Sequence, residues 1–366
     1  MPRAIVAATM AALALCSLGC AGTLRQVYTP AELKQELASR GPAIPAADVV
    51  VPFELPPEAL ETAHRLVRNT RAAEPRVEIL VQALFDPAIY GLRYDARATT
   101  SGAETLRSGR GNCVGLASVF IGLARSIGLD ARYIDASGVV HETRYSDDGN
   151  TVNFGHVTAM VTTGSGRMGL DIARLGIFRR YDVLDDLEAV AHFYNNRGYE
   201  QVDRAREQGE APDWVEAERQ FRMAVAAKPT FARGWNNLGI SVARQGRSDE
   251  AATHYRKAAA LDPLIAAPHA NLGSILLQAG DLPAALEELN AAASLDPRGA
   301  HIQYNLAVAR LRSGDRAGAL EAMRRTLSVH ASYPGAQAIM ERLTAGSPGA
   351  GGGPLPRGAR EGAELN

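Results

Sequence analysis

Apolar positions recur at helical spacing along most of this chain. In "ALETAHRLV" and "VEILVQALF" they fall three and four residues apart, which predicts one or two helices over Pro57 to Leu84. A short helix is expected around Ala103 to Leu106. From Asn112 the pattern sharpens. Leu116, Phe120, Leu123 and Ile127 share one face, Asn112 is an N-cap residue type, and Gly128 supplies a stop. Three strands are predicted next, at Ala131 to Asp135, Val152 to Thr162 and Met168 to Ile172. The glycine-rich stretch "TGSGR" joins the last two as a hairpin centred near Gly164 and Ser165.

Beyond about Val190 the pattern repeats. "WNNLGISVARQGRSDEAATHYRKAAALDP" begins at Trp235, "HANLGSILLQAGDLPAALEELNAAASLDP" at His269 and "QYNLAVARLRSGDRAGALEAMRRTLSVH" at Gln303, an offset of 34 residues each time. Gly239, Gly273 and Ala307 form one column, Gly246, Gly280 and Gly314 a second, and Ala251, Ala285 and Ala319 a third. Small residues there let two antiparallel helices approach closely, and the middle glycine breaks the chain between them. Pro263 and Pro297 close the second helices of their repeats. These residues resemble the tetratricopeptide repeat, including its W-x-x-L-G opening at Trp235 to Gly239. An irregular copy precedes them: "DWVEAERQFRMAVAAKP" is in register, but its first helix, around Tyr194 to Arg206, is displaced by seven residues. A capping helix is expected around Gln337 to Thr344. The resemblance implies an all-α solenoid over 190–344 whose groove takes a protein or peptide partner. Arg244, Gln278 and Arg312 recur at a column that faces the groove in this family; a solvated column is the alternative reading.

The remaining segments carry little periodicity. Residues 21–56 are Pro-rich and read as a linker, and 345–366 as a low-complexity, disordered tail. At the N-terminus, Arg3 and the apolar run Ala4 to Leu15 read as a secretory signal over residues 1–20, too short to span a bilayer. Its end, "SLGC", resembles a bacterial lipobox with Gly19 before the cut and Cys20 as the lipidated residue, although Ser17 stands where Leu is usual. This implies a lipoprotein on the periplasmic side of the outer membrane, touching the membrane only through its lipid. A plain signal peptide is the alternative.

Composition then narrows the chemistry. A formal net charge of -1 over 366 residues gives no nucleic-acid footprint. No Cys/His set has zinc spacing and no phosphate-binding glycine motif occurs, so no metal and no cofactor are expected. Of three cysteines, Cys16 and Cys20 belong to the signal region, which leaves Cys113 without an intramolecular disulfide partner. It stands at the first turn of a predicted helix, where unpaired N–H groups and the helix dipole favour a thiolate. Gly109 and Gly111 would let backbone approach a substrate, and amides at Gly111, Asn112 and Cys113 are candidate oxyanion donors. A nucleophile needs a base, and the base an orienting group. His156 on one strand of the hairpin and Asp171 on the other fall within about two residues of pairing. Of the other histidines, His141 lies in a polar segment, and His254, His269, His301 and His330 fall in the repeats as packing or surface residues.

Asn112 to Ile134, then Gly155-His156, then Leu170-Asp171 resemble the transglutaminase-like fold, a relative of papain-type peptidases, over roughly Pro57 to Arg180. The resemblance implies an α+β domain of cysteine-proteinase type over 57–185, with Cys113 as nucleophile, His156 as general base and Asp171 orienting it. Amide chemistry through a thioester follows, ending in hydrolysis or acyl transfer. Val157 to Met160 lack the aromatic residue many members carry after the His, and Ile172 replaces the usual Pro. On those departures rests a reading of another class, an inactive scaffold that binds proteins through its repeats.

Overall fold

A computed structural model describes residues 27–40, 49–136, 142–145, 151–154, 157–172, 176–178 and 181–344. The first half has five helices, α1 (Pro30–Arg40), α2 (Pro57–Val67), α3 (Ala73–Phe85), α4 (Gly102–Ser108) and α5 (Cys113–Ser126), among its described residues. The strands are β1 (Arg93–Tyr94), β2 (Arg110–Gly111), β3 (Asp130–Asp135), β4 (Glu142–Tyr145), β5 (Thr151–Phe154), β6 (Val157–Thr163), β7 (Gly166–Asp171), β8 (Gly176–Phe178) and β9 (Asp182–Val183). Strands β8-β7-β6-β3-β9 form one antiparallel sheet, β1 pairs β2 in parallel, and β4 pairs β5.

Helix α5 is the axis of this half. Its residues from Val114 to Ile121 are all buried, so it has core on every side rather than the single apolar face its spacing suggested. Ser118 Oγ lies 2.8 Å from the Tyr133 hydroxyl, tying α5 to β3. The turn after it forms at Gly128, which has φ +82.

Two expectations need correction. Residues 28–40 and 49–56 are not a linker. Leu33 and Leu37 of α1 are buried, and so are Val49, Val51, Phe53 and Leu55. Those four lie on a strap that turns at Pro52-Phe53, where Glu54 N–H donates to Val51 O at 3.1 Å, so its burial follows no helical period. A Cβ at Gly122 of α5 would sit 2.5 Å from the Phe53 carbonyl oxygen, which shows how closely strap and helix meet. The Arg125 guanidinium lies 4.7 Å from the Phe53 ring centroid. The second correction concerns the strand expected over Val152 to Thr162. It is two strands, β5 paired with β4 and β6 paired with β3 and β7. Gly155 and His156 lie between them, outside the described residues.

The second half is a run of helix pairs: α6 (Asp186–Glu207) with α7 (Trp214–Ala227), α8 (Ala232–Arg244) with α9 (Ser248–Leu261), α10 (Ala266–Ala279) with α11 (Leu282–Leu295), and α12 (Ala300–Arg312) with α13 (Arg316–Val329). Helix α14 (Ala336–Thr344) closes the array. Gly246, Gly280 and Gly314 all take positive φ, +84, +85 and +89, at the turn inside each regular pair. The small-residue column also works as expected: a Cβ at Gly239 would stand 2.6 Å from Tyr255, and one at Gly273 2.7 Å from Leu289. Asn237 donates to Asn195 Oδ1 and Asn271 to Asn236 Oδ1, both at 2.9 Å, linking successive first helices.

Helix α6 is longer than its counterparts, with 22 residues. Its start joins the first half: Leu187, Val190 and Phe193 share a core with α5 and the strap, and Asp186 receives two hydrogen bonds from Arg125 at 2.9 and 2.8 Å. Its end joins the repeats through Val202. Among the described residues no helix is long and apolar enough to cross a membrane.

Candidate active site

The chain reaches Cys113 through a series of fixed turns. Helix α4 ends on Gly109 in the left-handed region, φ +68. Strand β2 then runs beside β1, with Arg93 N–H donating to Gly109 O and Asp95 N–H to Gly111 O. Asn112 follows as the N-cap. Its Oδ1 accepts from Gly115 N–H at 3.1 Å, its Nδ2 donates to Thr99 Oγ1 at 2.7 Å, and its own N–H donates to Ala98 O at 2.8 Å. That last bond corrects one expectation: the Asn112 amide is committed to Ala98 and is not an oxyanion donor. Gly111 also has a different job from the one expected. A Cβ there would meet Thr105 at 2.9 Å, and one at Gly115 would meet Thr105 Oγ1 at 2.8 Å. These glycines seat the helix start against residues 98–105 rather than clearing space for substrate.

Cys113 is thus the first residue of a well-capped helix. It is not in a disulfide, and it is 8% exposed. The helix start concentrates partial positive charge at the sulfur, which favours the thiolate.

The hairpin turns at Gly164-Ser165, since Thr163 pairs with Gly166. Ala159 pairs with Leu170, and Thr158 Oγ1 donates to Leu170 O at 2.7 Å. Continued by one residue, the same register brings Asp171 opposite Thr158; His156 lies outside the described residues. Asp171 is buried at the end of β7 and pairs with Gly176 of β8. Cys113, Val157, Leu170 and Ile172 belong to one apolar core, so the thiol's helix and the hairpin's open end share an interior. The family model described as the Transglutaminase-like superfamily matches residues 61–171, ending on Asp171. Two models described as Tetratricopeptide repeat match 232–265 and 271–337. The chain carries a transglutaminase-like core followed by tetratricopeptide repeats.

Solved structures similar to this chain include MamA, at 24% identity and TM-score 0.35, covering 39% of this chain and 82% of that one. A Pseudomonas aeruginosa PilF structure is 22% identical with TM-score 0.38, covering 43% and 68%. YrrB, titled a TPR protein with an unusual peptide-binding site, is 21% identical with TM-score 0.35, covering 43% and 78%. No curated protein matches the chain.

Within the tetratricopeptide repeats, two of the three residues in the column proposed for partner contact are engaged between repeats. The Arg244 guanidinium lies 5.6 Å from the Trp214 ring, and Arg312 donates to Leu277 O at 2.9 Å. Gln278 is exposed. Arg244 and Arg312 hold neighbouring repeats together at the ends of their helices, which weakens their case as partner residues.

Sequence reasoning missed two residues near the transglutaminase-like site. Thr99 receives the Asn112 side chain, and its own N–H donates to Glu200 Oε2 at 2.7 Å. The contact spans 101 residues and leaves no local trace. The available signal was on α6, where Arg197, Glu200, Arg204 and Glu207 alternate in sign at helical spacing.

Proposed function

We propose that this protein is an envelope-anchored cysteine enzyme acting on amide bonds, with repeats that bind a protein or peptide partner. The Cys113 thiolate adds to an amide carbonyl carbon, and the electron pair moves to oxygen. Collapse of that adduct expels the amine, which takes a proton from His156. The acyl thioester then passes to water, or to a second amine with transfer instead of hydrolysis. Asp171 orients the imidazole. The observation that supports this reading best is the register of β6 and β7, which, continued one residue past Ala159 and Leu170, brings Asp171 opposite Thr158. Loss of a positioned acid and base costs typically about 10²–10⁴-fold, the drop in turnover expected of His156→Ala.

The test is alkylation of the folded protein by iodoacetamide across pH, followed by mass at Cys113. A nucleophile reacts well below pH 8, with a profile that His156→Ala displaces. Labelling that requires denaturant sinks the enzyme and leaves a scaffold, a reading favoured by the thiol's 8% exposure. Anchorage rests on the "SLGC" motif, and Cys20 lies outside the described residues. Cys20→Ser should move the protein from the membrane to the soluble fraction; an unchanged distribution rejects the lipid.

A further inference from the structure

One face of α6 is turned entirely to the loop and helix that support the thiol. Arg197 donates to both Glu104 carboxylate oxygens, at 3.1 and 3.3 Å. Glu200 accepts the Thr99 N–H at 2.7 Å. Arg204 donates to Arg97 O at 3.3 Å, and Glu207 accepts from Arg97 Nη1 at 2.8 Å. The spacing of three, four and three puts all four side chains on one stripe. The opposite stripe belongs to the repeats: a Cβ at Gly198 would stand 2.8 Å from Phe221, and Asn195 accepts from Asn237.

Of these four side chains, Glu200 is the one whose bond leads on to the thiol's cap. Glu200 fixes Thr99, Thr99 Oγ1 accepts from Asn112 Nδ2, and Asn112 Oδ1 caps the helix that begins at Cys113. The Glu200 side chain is 14% exposed, so this is a mostly desolvated, charge-assisted bond rather than a rim contact. Glu104, held by Arg197, carries a capping box with Ser101 at the start of α4. Burial raises the Glu104 pKa, but the Ser101 bonds and Arg197 outweigh it and hold it low.

We propose that Glu200, a residue of the first repeat helix, is a positioning residue for Cys113, acting through Thr99 and the Asn112 cap. It never touches substrate. The inference rests on the reading of Cys113 as the nucleophile. It adds that the repeats complete the site, because the residue that seats the cap comes from them.

The test uses the full chain and two readouts: amide hydrogen exchange over 112–115, and the pH midpoint of Cys113 alkylation. Glu200→Ala should speed exchange at Asn112 and Gly115 by about fivefold, the equivalent of losing one cap. It should also move the alkylation midpoint upward. Glu200→Gln keeps an acceptor for Thr99 and should restore much of both. Thr99→Val, which removes the Asn112 acceptor at similar volume, should reproduce the Ala result from the other side of the link. Glu207→Gln, on the same stripe but without a route to the cap, should behave as wild type. A reactive wild-type thiol whose midpoint is unmoved in Glu200→Ala and Thr99→Val overturns this inference alone. A wild-type thiol inert below pH 8 overturns the nucleophile reading, and this inference with it.

Discussion

Asn112 uses every polar group it has. Besides the three bonds at its amide and side chain, its carbonyl accepts the first helical bond from Leu116 at 3.0 Å. Replacing it with Ala removes a cap and leaves Thr99 Oγ1 and the Gly115 amide short of a partner. That should cost about 1–2 kcal/mol in urea melts. Asn112→Asp keeps the cap acceptor, and Thr99 can donate to it in return, so its loss should be smaller. Equal losses for the two variants would mean the cap is not what the residue supplies.

At the level of elements, α1 is where sequence and structure parted. Its signals were present. Thr29 and Glu32 form a reciprocal cap, with Thr29 N–H donating to Glu32 Oε2 at 2.8 Å and Glu32 N–H to Thr29 Oγ1 at 3.3 Å. Pro30 occupies the first turn, and Leu33 and Leu37 stand one turn apart on the buried face. Only two apolar anchors and a following proline-rich strap made it resemble a tether. Leu33→Ala or Leu37→Ala should cost about 2–5 kcal/mol each, as truncations in a packed core do, and thermal melts will show it. A spacer would tolerate both. The repeats were legible because the 34-residue offset puts glycine and alanine at contact positions three times over. The hairpin was legible through its turn. The site was legible only in part. The thiol, its cap and the Asp171 register follow from local sequence, whereas Thr99 and Glu200 meet through folding and have no neighbouring signal.

For the molecule as a whole, His192 reports on how the two halves fit. It sits on α6 with its ring 4.9 Å from that of Phe231, in the connection between α7 and α8. Burial drives its pKa below the usual imidazole value, and Arg233 pushes the same way against Asp135 and Glu188. A depressed folded value means the unfolded chain takes up the proton first. The stability tied to this group is therefore present above about pH 6.5 and is lost as pH falls toward the folded value. Melting temperature should drop between about pH 7.5 and 5.5, and His192→Gln should flatten that slope. Some slope will persist, because burial also holds His254 low.

The length of α6 has one more consequence. Its first turns lie in the core beneath the strap and its last turns among the helix pairs, so no peptide bond divides the chain into two self-sufficient pieces. Calorimetry should then record one endotherm rather than two. A gene truncated after residue 185, or begun at residue 190, would yield a product lacking half of its own interior wall.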